Sequence, residues 1–597
     1  MSELIRLLGP PHIERDGTRL PGPRGAKAWA LFAYLVLRRE APGRRHLAEL
    51  FFTEAEDPLA ALRWNLSELR RAFARPDAFR GDPVELRLGG GVEVDVLRLL
   101  SATPEDLAAM VITGGELLEA ISLDSNPAFE PWLLAERRRL ATVVEAALRE
   151  QVLLRLAADD GIEASRTAAR LVAANPFEEG HHELLVRSFL AAGDRDAAAG
   201  HVQACTDLFR RELGVEPSRR LRDLLGAGAV GAALPVGGSA TARAQMEAGE
   251  AALAAGATQA GIDLLRGAAR QAAAVGDDAL SVRVGLALGG ALVHTMRGHE
   301  EAATVLHKAA DAACRLGDRV MAATAYREIA FIDVQACRRQ RARVWLDRAE
   351  AAAEGWHDEL ASIHGVRGME LSDAADYPEA ITRLEQSLDH ARRIQGQRQA
   401  ALSDSLLGRV YLLTGRYAEA RAHLERAAQA AERVRWLAFR PWPEALLAEV
   451  DIEEARLDAA RDRLEHAFAM ACQLGDPCWE GVAARGLGVL EARRGDHDLA
   501  LTWLVDARHR CLRPASPYQW VHGWILDGLA DVARVGNALQ AADWARALES
   551  LATRGAMREF AVRACLHRHG LGDSQAMRAA RVLAADIDNP QLRQRIH

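Results

Sequence analysis

The chain has 597 residues, of which 49% are hydrophobic and 5% aromatic, and its formal net charge is −8 at pH 7. At roughly 150 residues per domain, this length predicts two or more domains. The negative net charge excludes a protein that coats nucleic acid along its whole length. Seven scattered cysteines form no Cys-x-x-Cys pair, and neither a signal-peptide pattern nor a membrane-spanning apolar run stands out. We therefore expect reduced thiols and a cytoplasmic protein without a membrane partner.

The positive charge is concentrated near the N-terminus. Between Arg19 and Arg80, twelve Arg and Lys residues stand against seven Asp and Glu, a balance of +5. The rest of the chain therefore carries a charge of about −13, which brings the net charge to −8. A locally basic segment in an acidic protein predicts one confined DNA-binding domain.

In chain order, residues 2–20 alternate weakly around Asp16-Gly17, which predicts short strands joined by a tight turn. Residues 26–37 predict a buried helix and residues 45–52 a second, shorter helix. Residues 84–96 alternate on both sides of three glycines and predict a β-hairpin. With a third helix between them, this is the element order of a winged helix-turn-helix domain.

The segment from Asp57 to Arg75 predicts that third helix. Asp57 and Pro58 are typical of a helix start. Apolar residues recur at steps of four, three and four: Leu62, Leu66, Leu69 and Phe73. The opposite face and its flanks carry polar, basic and aromatic residues: Arg63, Trp64, Ser67, Glu68, Arg70, Arg71 and Arg75. Such a helix fits the major groove of B-DNA, whereas an isolated helix of this kind is more often a solvated surface helix.

Contact roles follow from the chemistry of the side chains. Arginine recognises phosphates and guanine edges, and Trp64 would contact either thymine methyl groups or RNA polymerase. The predicted base contacts are Arg63, Trp64, Ser67, Arg70 and Arg71. The predicted phosphate contacts are Arg24, Lys27, Arg44, Arg45, Arg80 and Arg87. Glu68 fits this face only if it accepts a hydrogen bond from a cytosine amine.

The motifs LIRLLGPPHIERDG, RGAKAWALFAYLVL and ALRWNLSELRRAF within residues 4–96 resemble the OmpR-type winged helix of the SARP family (Streptomyces antibiotic regulatory proteins). Residues 114–140, 175–198 and 208–224 resemble the bacterial transcriptional activator domain that follows it in these regulators. The resemblance implies an activator that binds double-stranded DNA and recruits RNA polymerase holoenzyme. It also implies two DNA-binding halves on direct repeats, and hence a homodimer.

The remainder of the chain is repetitive. Ala164, Ala168 and Leu171 recur 34 residues later as Ala198, Val202 and Cys205. After a linker rich in glycine and alanine, an Ala-x3-Leu pattern followed by a small residue recurs about every 40 residues: 260/264/267, 302/306/309, 342/346/349, 380/384/387, 420/424/427, 460/464/467 and 500/504/507, with weaker copies at Ala541/Ala545 and Ala579/Leu583. This predicts a solenoid of helix hairpins like tetratricopeptide repeats, with a concave face for a ligand or protein.

One aromatic cluster lies in a connector between repeats: Trp436, Phe439 and Trp442, with two prolines. Most tryptophans of such an array pack between repeats. Exposed aromatic residues are, however, frequent binding hot spots, so this cluster is a candidate anchor for a partner or ligand.

The sequence offers no catalytic pattern. A P-loop needs a lysine after glycine, whereas Lys27 follows Ala26 and Lys308 follows His307. No zinc-protease, hydrolase or Cys/His cluster motif stands out, so we expect no enzyme, no cofactor and no metal.

The expected fold is mainly α, with an N-terminal α/β winged helix-turn-helix, a helical activator domain and a C-terminal α-solenoid. The expected segments are 1–97, 98–226, 227–241 (a linker) and 242–597, the last with eight to nine hairpins. The expected function is a sequence-specific transcriptional regulator in which the solenoid is a sensor or oligomerisation arm. The alternative is a protein-interaction scaffold whose winged helix no longer binds DNA.

Overall fold

The computed structural model describes residues 3–38, 41–52, 54–89, 91–110, 112, 115–119, 121, 129–227, 238–254, 257–536 and 538–596. The chain divides into two compact units, residues 1–151 and 152–597. None of the described helices combines the length and the apolar character that a membrane span requires.

The first unit mixes strands and helices, as predicted. Its elements are β1 (Glu3–Arg6), β2 (His12–Arg15), β3 (Thr18–Leu20), α1 (Ala26–Leu37), α2 (Arg44–Phe51), α3 (Pro58–Ala72), β4 (Phe79–Arg80), β5 (Glu85–Leu86), β6 (Val92–Val94), α4 (Asp95–Ser101), α5 (Pro104–Ala109) and the start of α6 (Glu130–Ala157). A four-stranded sheet has the order β3-β2-β1-β6.

The turn predicted at Asp16-Gly17 is confirmed. It joins the antiparallel strands β2 and β3, in which Arg15 pairs with Thr18. Asp16 and Gly17 have φ values of 49° and 79°. Two successive residues with positive φ are the signature of a turn whose twist matches a right-handed strand pair.

The hairpin predicted around the three glycines is wrong. Strand β5 pairs antiparallel with β4, whereas β6 pairs parallel with β1, so that Ile5 lies opposite Val94. The buried Asp95 carboxylate after β6 accepts hydrogen bonds from the backbone N–H groups of Leu7 (2.8 Å) and Leu8 (3.0 Å). These bonds hold the segment after the glycines against β1, and the wing is therefore the β4–β5 pair.

The three predicted helices are confirmed: α1 and α2 match the predictions to within a residue at both ends, whereas α3 ends at Ala72, three residues before the predicted Arg75. They pack around an aromatic core, in which the Phe32 ring centroid lies 4.7 Å from that of Phe73 and 6.4 Å from that of Phe79. Because Phe79 belongs to β4, this core also fixes the wing.

The second unit is helical. After α6 it contains α7 (Gly161–Ala174), α8 (Glu179–Ala191), α9 (Arg195–Leu213) and α10 (Arg219–Ala227). The six residues of the predicted 34-residue repeat are all buried: Ala164, Ala168, Leu171, Ala198, Val202 and Cys205. Of the predicted linker, residues 228–237 lie outside the described residues, and Ser239 already begins the next helix.

Paired antiparallel helices follow up to Ala584, as predicted for the solenoid. The pairs are α11 (Ser239–Ala254) with α12 (Thr258–Val275), α13 (Asp278–His294) with α14 (His299–Leu316), α15 (Arg319–Gln335) with α16 (Arg339–Ala352), α17 (His357–Asp373) with α18 (Tyr377–Arg393), α19 (Gln397–Leu413) with α20 (Tyr417–Arg433), α21 (Pro441–Glu453) with α22 (Leu457–Leu474), α23 (Pro477–Arg494) with α24 (His497–Cys511), α25 (Gln519–Gly536) with α26 (Ala538–Arg554), and α27 (Arg558–Gly570) with α28 (Ala576–Ala584). A short 3-10 helix, Leu437–Phe439, precedes α21, and α29 (Pro590–Ile596) ends the described chain.

The small and leucine positions predicted from residues 302 to 507 are all buried. The structure adds a partner that the pattern did not include, a glycine on the first helix of the hairpin. A Cβ on Gly408 would lie 2.5 Å from Leu424 Cγ and 3.2 Å from the carbonyl oxygen of Ala420. The close approach of the two helices therefore needs small residues on both sides.

The first and last predicted copies are displaced. In α12 the buried positions are Gly261, Leu265 and Ala268, whereas Ala260 is exposed. A Cβ on Gly261 would lie 2.9 Å from the carbonyl oxygen of Gly249, so this glycine sets the register against α11. In α28 the buried residues are Ala576, Ala580 and Ala584, and Leu583 is exposed, because helix α27 meets the alanine face.

The inner helices of the later hairpins do not leave an open concave face. Arg409 of α19 donates to Asp373 Oδ1 of α17 (2.7 Å) and to the hydroxyl of Tyr518 (2.9 Å). Its guanidinium lies 4.3 Å from the centroid of the Trp520 ring in α25. Tyr518 also donates to Asp373 Oδ2 (2.8 Å), and all four side chains are buried. Residues more than 100 positions apart thus meet in one interior cluster.

The C-terminal helices extend this closure. Arg558 donates to the carbonyl oxygen of Ala374 (2.8 Å), and Asn589 donates to that of Leu413 (3.0 Å). Arg339 donates to the carbonyl oxygen of Gly555 (2.7 Å). The turns within three earlier hairpins are therefore covered. Because helices α17 and α19 are buried along most of their length and meet Tyr518 and Trp520 through Arg409, the prediction of a free concave face is wrong for these two hairpins.

Candidate nucleic-acid interface

Helix α3 is held by its buried face and by its cap. The Asp57 carboxylate accepts a hydrogen bond from the N–H of Ala60 (2.9 Å), and Pro58 occupies the first turn. Leu62, Leu66 and Leu69 are fully buried. This orientation leaves the opposite side of the helix toward solvent, as the periodicity predicts.

The exposed side of α3 presents most of the predicted base contacts. Arg63, Trp64, Ser67 and Arg71 are all exposed. Trp64 retains 54% of its accessible surface although it is a large aromatic residue. Arg63 Nη2 lies 3.6 Å from Asp57 Oδ2 at the start of the helix. This ion pair is exposed to solvent and therefore contributes little to the free energy of folding.

Glu68 is paired with Arg71 on this face. Arg71 donates to both carboxylate oxygens, from Nε at 3.1 Å and from Nη2 at 2.8 Å. These hydrogen bonds hold the pKa of Glu68 below its usual range, and the backbone N–H of Arg24 also contributes. Glu68 is therefore ionised at neutral pH, and Arg71 balances its negative charge. The two hydrogen bonds also hold the Arg71 guanidinium in one orientation.

Arg70 is a correction to the predicted base contacts. Its guanidinium donates to the carbonyl oxygen of Phe79 in the wing and is half-buried. Burial lowers the pKa of Arg70, and the positive charges of Arg44 and Arg80 lower it further. Because Arg70 lies on the flank of α3 and anchors the wing, it does not present its charge on the exposed face.

The predicted phosphate contacts surround this face in varied environments. Arg44 Nε donates to the carbonyl oxygen of Gly81 (2.9 Å), whereas the Arg45 side chain is almost fully exposed beside Glu49. Arg80 pairs with Asp77, and Arg87 pairs with Glu85, both in exposed ion pairs. Arg24 is exposed. The Lys27 ammonium lies 5.8 Å from the centroid of the Phe52 ring.

Asp82, which the sequence analysis missed, links two parts of the face. Its carboxylate accepts a hydrogen bond from the N–H of Arg44 (2.8 Å) at the start of α2. The N–H of Val84 donates to the carbonyl oxygen of Pro42 (2.8 Å) in the same region. The Gly81-Asp82-Pro83 turn is the sequence feature from which this contact could have been predicted. The start of α2, the exposed side of α3 and the wing therefore form one surface rimmed by arginines.

The aromatic connector does not form an accessible anchor. Phe439 and Trp442 are buried. Trp442 packs against Trp479 at 5.0 Å between ring centroids and donates to the hydroxyl of Ser405 (3.2 Å). Trp436 stacks on Phe439 at 4.3 Å and is only half-buried. The prediction is therefore corrected: Phe439 and Trp442 pack between repeats.

Helices α8 and α9 contain a stacked histidine pair, in which His182 is buried and His201 is half-buried. His182 Nδ1 of α8 lies 3.0 Å from His201 Nε2 of α9, and the rings stack with centroids 5.1 Å apart. Burial, with a smaller contribution from His182, lowers the pKa of His201 to about 4. Among the described residues, no group of three or more His, Cys, Asp or Glu side chains could hold a metal ion.

This pair predicts a pH dependence. Between pH 6.5 and about 4, the unfolded chain protonates His201 whereas the folded chain does not, so stability falls as the pH falls through that window. We expect His201→Gln to remove about 1 kcal/mol of this loss, after discounting the partial exposure of the ring. Hydrogen exchange of α8 and α9, corrected for intrinsic rates, checks this at both ends of the window. The exposed His509→Gln is the control, and equal pH responses in parent and His201→Gln would contradict the prediction.

Comparisons with known proteins agree with parts of this organisation. Residues 108–227 match the bacterial transcriptional activator domain, and residues 358–433 match the tetratricopeptide repeat. No curated protein matches the chain.

Several solved structures are similar to the chain. A Rap protein complexed with competence and sporulation factor has a TM-score of 0.42 at 14% identity, covering 53% of this chain and 88% of that one. Mycobacterium tuberculosis EmbR in complex with a low-affinity phosphopeptide has a TM-score of 0.29 at 19% identity, covering 39% and 66%. Yeast Tom70 has a TM-score of 0.33 at 12% identity, covering 78% and 89%.

Proposed function

We propose that this chain, which carries the bacterial transcriptional activator domain of SARP-type regulators together with tetratricopeptide repeats, is a sequence-specific DNA-binding activator of transcription. The observation that carries the proposal is the exposed side of α3. It presents arginines, a serine and a tryptophan from a helix whose other side is fully buried. A helix of this kind enters the major groove, while the elements around it contact the backbone.

The contacts divide by position. Arg63, Trp64, Ser67 and Arg71 lie on the exposed side of α3 and would contact base edges. The arginines at the start of α2 and in the wing, with Arg24 and Lys27, would contact phosphates and fix the register on the duplex. Arg70 is left out because it binds the wing carbonyl.

A salt-dependent binding measurement on the full chain tests this function. We expect Arg45→Ala to weaken binding to operator and random duplexes alike and to reduce the slope of log affinity against log salt by about 1, because one phosphate contact is lost. Fluorescence polarisation at several salt concentrations measures both quantities. Arg283→Ala, an exposed arginine of α13, is the control. If the full chain shows no salt-sensitive duplex binding, the interaction-scaffold alternative replaces this proposal.

RNA polymerase holoenzyme is the proposed protein partner of the activator domain, and a homodimer on direct repeats is the proposed assembly. An exposed apolar patch supports a protein contact on that domain: Phe177, Leu213 and Val215. The Phe177 ring lies 6.5 Å from that of Phe209 in α9. The Glu179 carboxylate accepts from the N–H of Ser218 (3.1 Å), which brings the two segments of the patch together.

The solenoid is the proposed controlling arm. Its first hairpins contact the activator helices directly: Lys308 Nζ lies 2.7 Å from Asp159 Oδ1, and Arg220 donates to the carbonyl oxygen of Arg297. Glu301 of α14 pairs with Arg266 (2.6 Å), and the nearby charges of Arg187 and Arg220 help to keep the pKa of Glu301 low. A rearrangement of the solenoid can therefore be transmitted to the activator domain through packed elements. Truncation of the solenoid near residue 240 would expose the activator-domain side of these contacts.

A further inference from the structure

The loops that join consecutive hairpins carry large apolar side chains that remain exposed. They are Leu316 (46% exposed), Trp356 (57%), Ile394 (37%) and Leu437 (56%), which we call the loop ridge. Their spacings of 40, 38 and 43 residues place one at each of four successive loops, with Leu316 as the last residue of α14 just before its loop. Because corresponding loops of a solenoid lie side by side, this spacing puts all four on one edge.

Three contacts beside the loop ridge show that neighbouring loop regions lie against each other. Arg319, after Leu316, donates to the carbonyl oxygen of Ala351 (2.8 Å) at the end of α16. His357 Nδ1, after Trp356, lies 2.8 Å from His390 Nδ1 at the end of α18. Arg398, after Ile394, places its guanidinium 5.7 Å from the centroid of the Trp436 ring. Each loop therefore touches the next.

The opposite edge of the same hairpins differs. There, Arg558 and Asn589 of the C-terminal segment bind the carbonyl oxygens of Ala374 and Leu413. The chain covers its own turns on that edge but leaves the loop ridge exposed. An exposed apolar row of this extent is a common property of interaction sites.

Charge along the loop ridge is uneven. Residues 389–398 and 432–437 together contain five arginines and two acids. Arg393, Arg398, Arg433 and Arg435 are exposed. Around Trp356 the balance is reversed, since Glu354 and Asp358 are exposed there. The basic end of the loop ridge therefore lies at Ile394 and Leu437.

We propose that the loop ridge is a docking surface for an extended segment of a partner protein, with apolar side chains along its length and acidic residues at one end. Packed helices are about 10 Å apart, and an extended chain rises about 3.3 Å per residue, so about every third residue would meet a ridge position. The acidic end pairs with the arginines near Leu437. An anionic bilayer is disfavoured because Glu354 and Asp358 flank Trp356, and a second ridge aligned in parallel is disfavoured because its arginines would repel.

The test uses the full chain and a fluorescein-labelled synthetic peptide of about fifteen residues, with leucine at every third position and glutamates and aspartates concentrated at one end. We expect saturable binding that weakens about tenfold or more with Trp356→Asp or Leu437→Asp, as for residues central to an interface. Arg435→Glu should weaken binding and flatten its salt dependence. Trp356 precedes α17 at its cap, where aspartate is favoured, so Trp356→Asp preserves the fold.

The control is Leu539→Asp, because Leu539 is highly exposed but lies outside the loop ridge. Leu539→Asp should leave peptide binding unchanged. All ridge variants should keep the parent's affinity for duplex DNA, and this second result separates the inference from the proposed function. The inference is overturned if the peptide does not bind, if the ridge variants bind it as the parent does, or if a peptide with lysine in place of the acids binds equally well. It is also overturned if the ridge variants instead abolish binding to phosphatidylglycerol vesicles or self-association in sedimentation.

Discussion

Replacing Arg409 with alanine is expected to destabilise the solenoid by about 3–5 kcal/mol, the usual cost of removing one partner of a buried ion pair. Arg409 is 1% exposed and bridges Asp373 to Tyr518. Without it, the Asp373 carboxylate stays buried with its charge unmatched, and the Trp520 ring loses the cation above it. Hydrogen exchange of α19 and α25 in the full chain measures the effect, because opening of the cluster exposes both helices.

Two variants control this experiment. Arg546→Ala removes an exposed ion pair with Asp543 and should change stability by less than about 1 kcal/mol. The triple variant Arg409→Met, Asp373→Leu and Tyr518→Phe should recover most of the loss, because an apolar set of similar volume needs no charge partner. Unchanged exchange in Arg409→Ala would contradict the closure of the inner helices in solution.

Replacing Arg71 with alanine is expected to reduce discrimination between operator and random DNA by about 1–3 kcal/mol, if this guanidinium binds a guanine edge. The structure adds a second cause. Arg71 neutralises Glu68, so its removal leaves an unpaired carboxylate toward the duplex. The double variant Arg71→Ala with Glu68→Gln separates the lost base contact from the new repulsion.

A genome-wide binding-site map supplies the operator, and polarisation with operator and scrambled duplexes gives the discrimination. The matched control is Arg70→Ala, on the same helix. Because Arg70 anchors the wing carbonyl of Phe79, this variant should lower stability and affinity for all duplexes without changing discrimination. If Arg71→Ala weakens operator and random DNA equally, the base-contact role of Arg71 is wrong.

Local elements of this protein follow from the sequence because their causes are local. The bounds of α1, the start of α3 with its Asp57 cap and the tight turn at Asp16-Gly17 each depend on residues within a few positions of one another. Helical periodicity alone identified which side of α3 is buried, and therefore that Arg63 and Arg71 lie on the exposed side. The repeating small residues likewise identified the hairpin contacts between residues 302 and 507, because each contact recurs in the same form.

Contacts between distant residues were decided only by the tertiary structure. The pairing of β6 with β1 depends on Asp95 reaching Leu7, about ninety positions away in the sequence. Arg70 looked like its neighbour Arg71 until the position of the Phe79 carbonyl was known. Phe439 and Trp442 are buried because a neighbouring hairpin supplies Trp479, and the concave face is closed because Arg409 meets Tyr518. Periodicity reports which side of a helix is apolar, but it carries no information about which distant segment will cover that side.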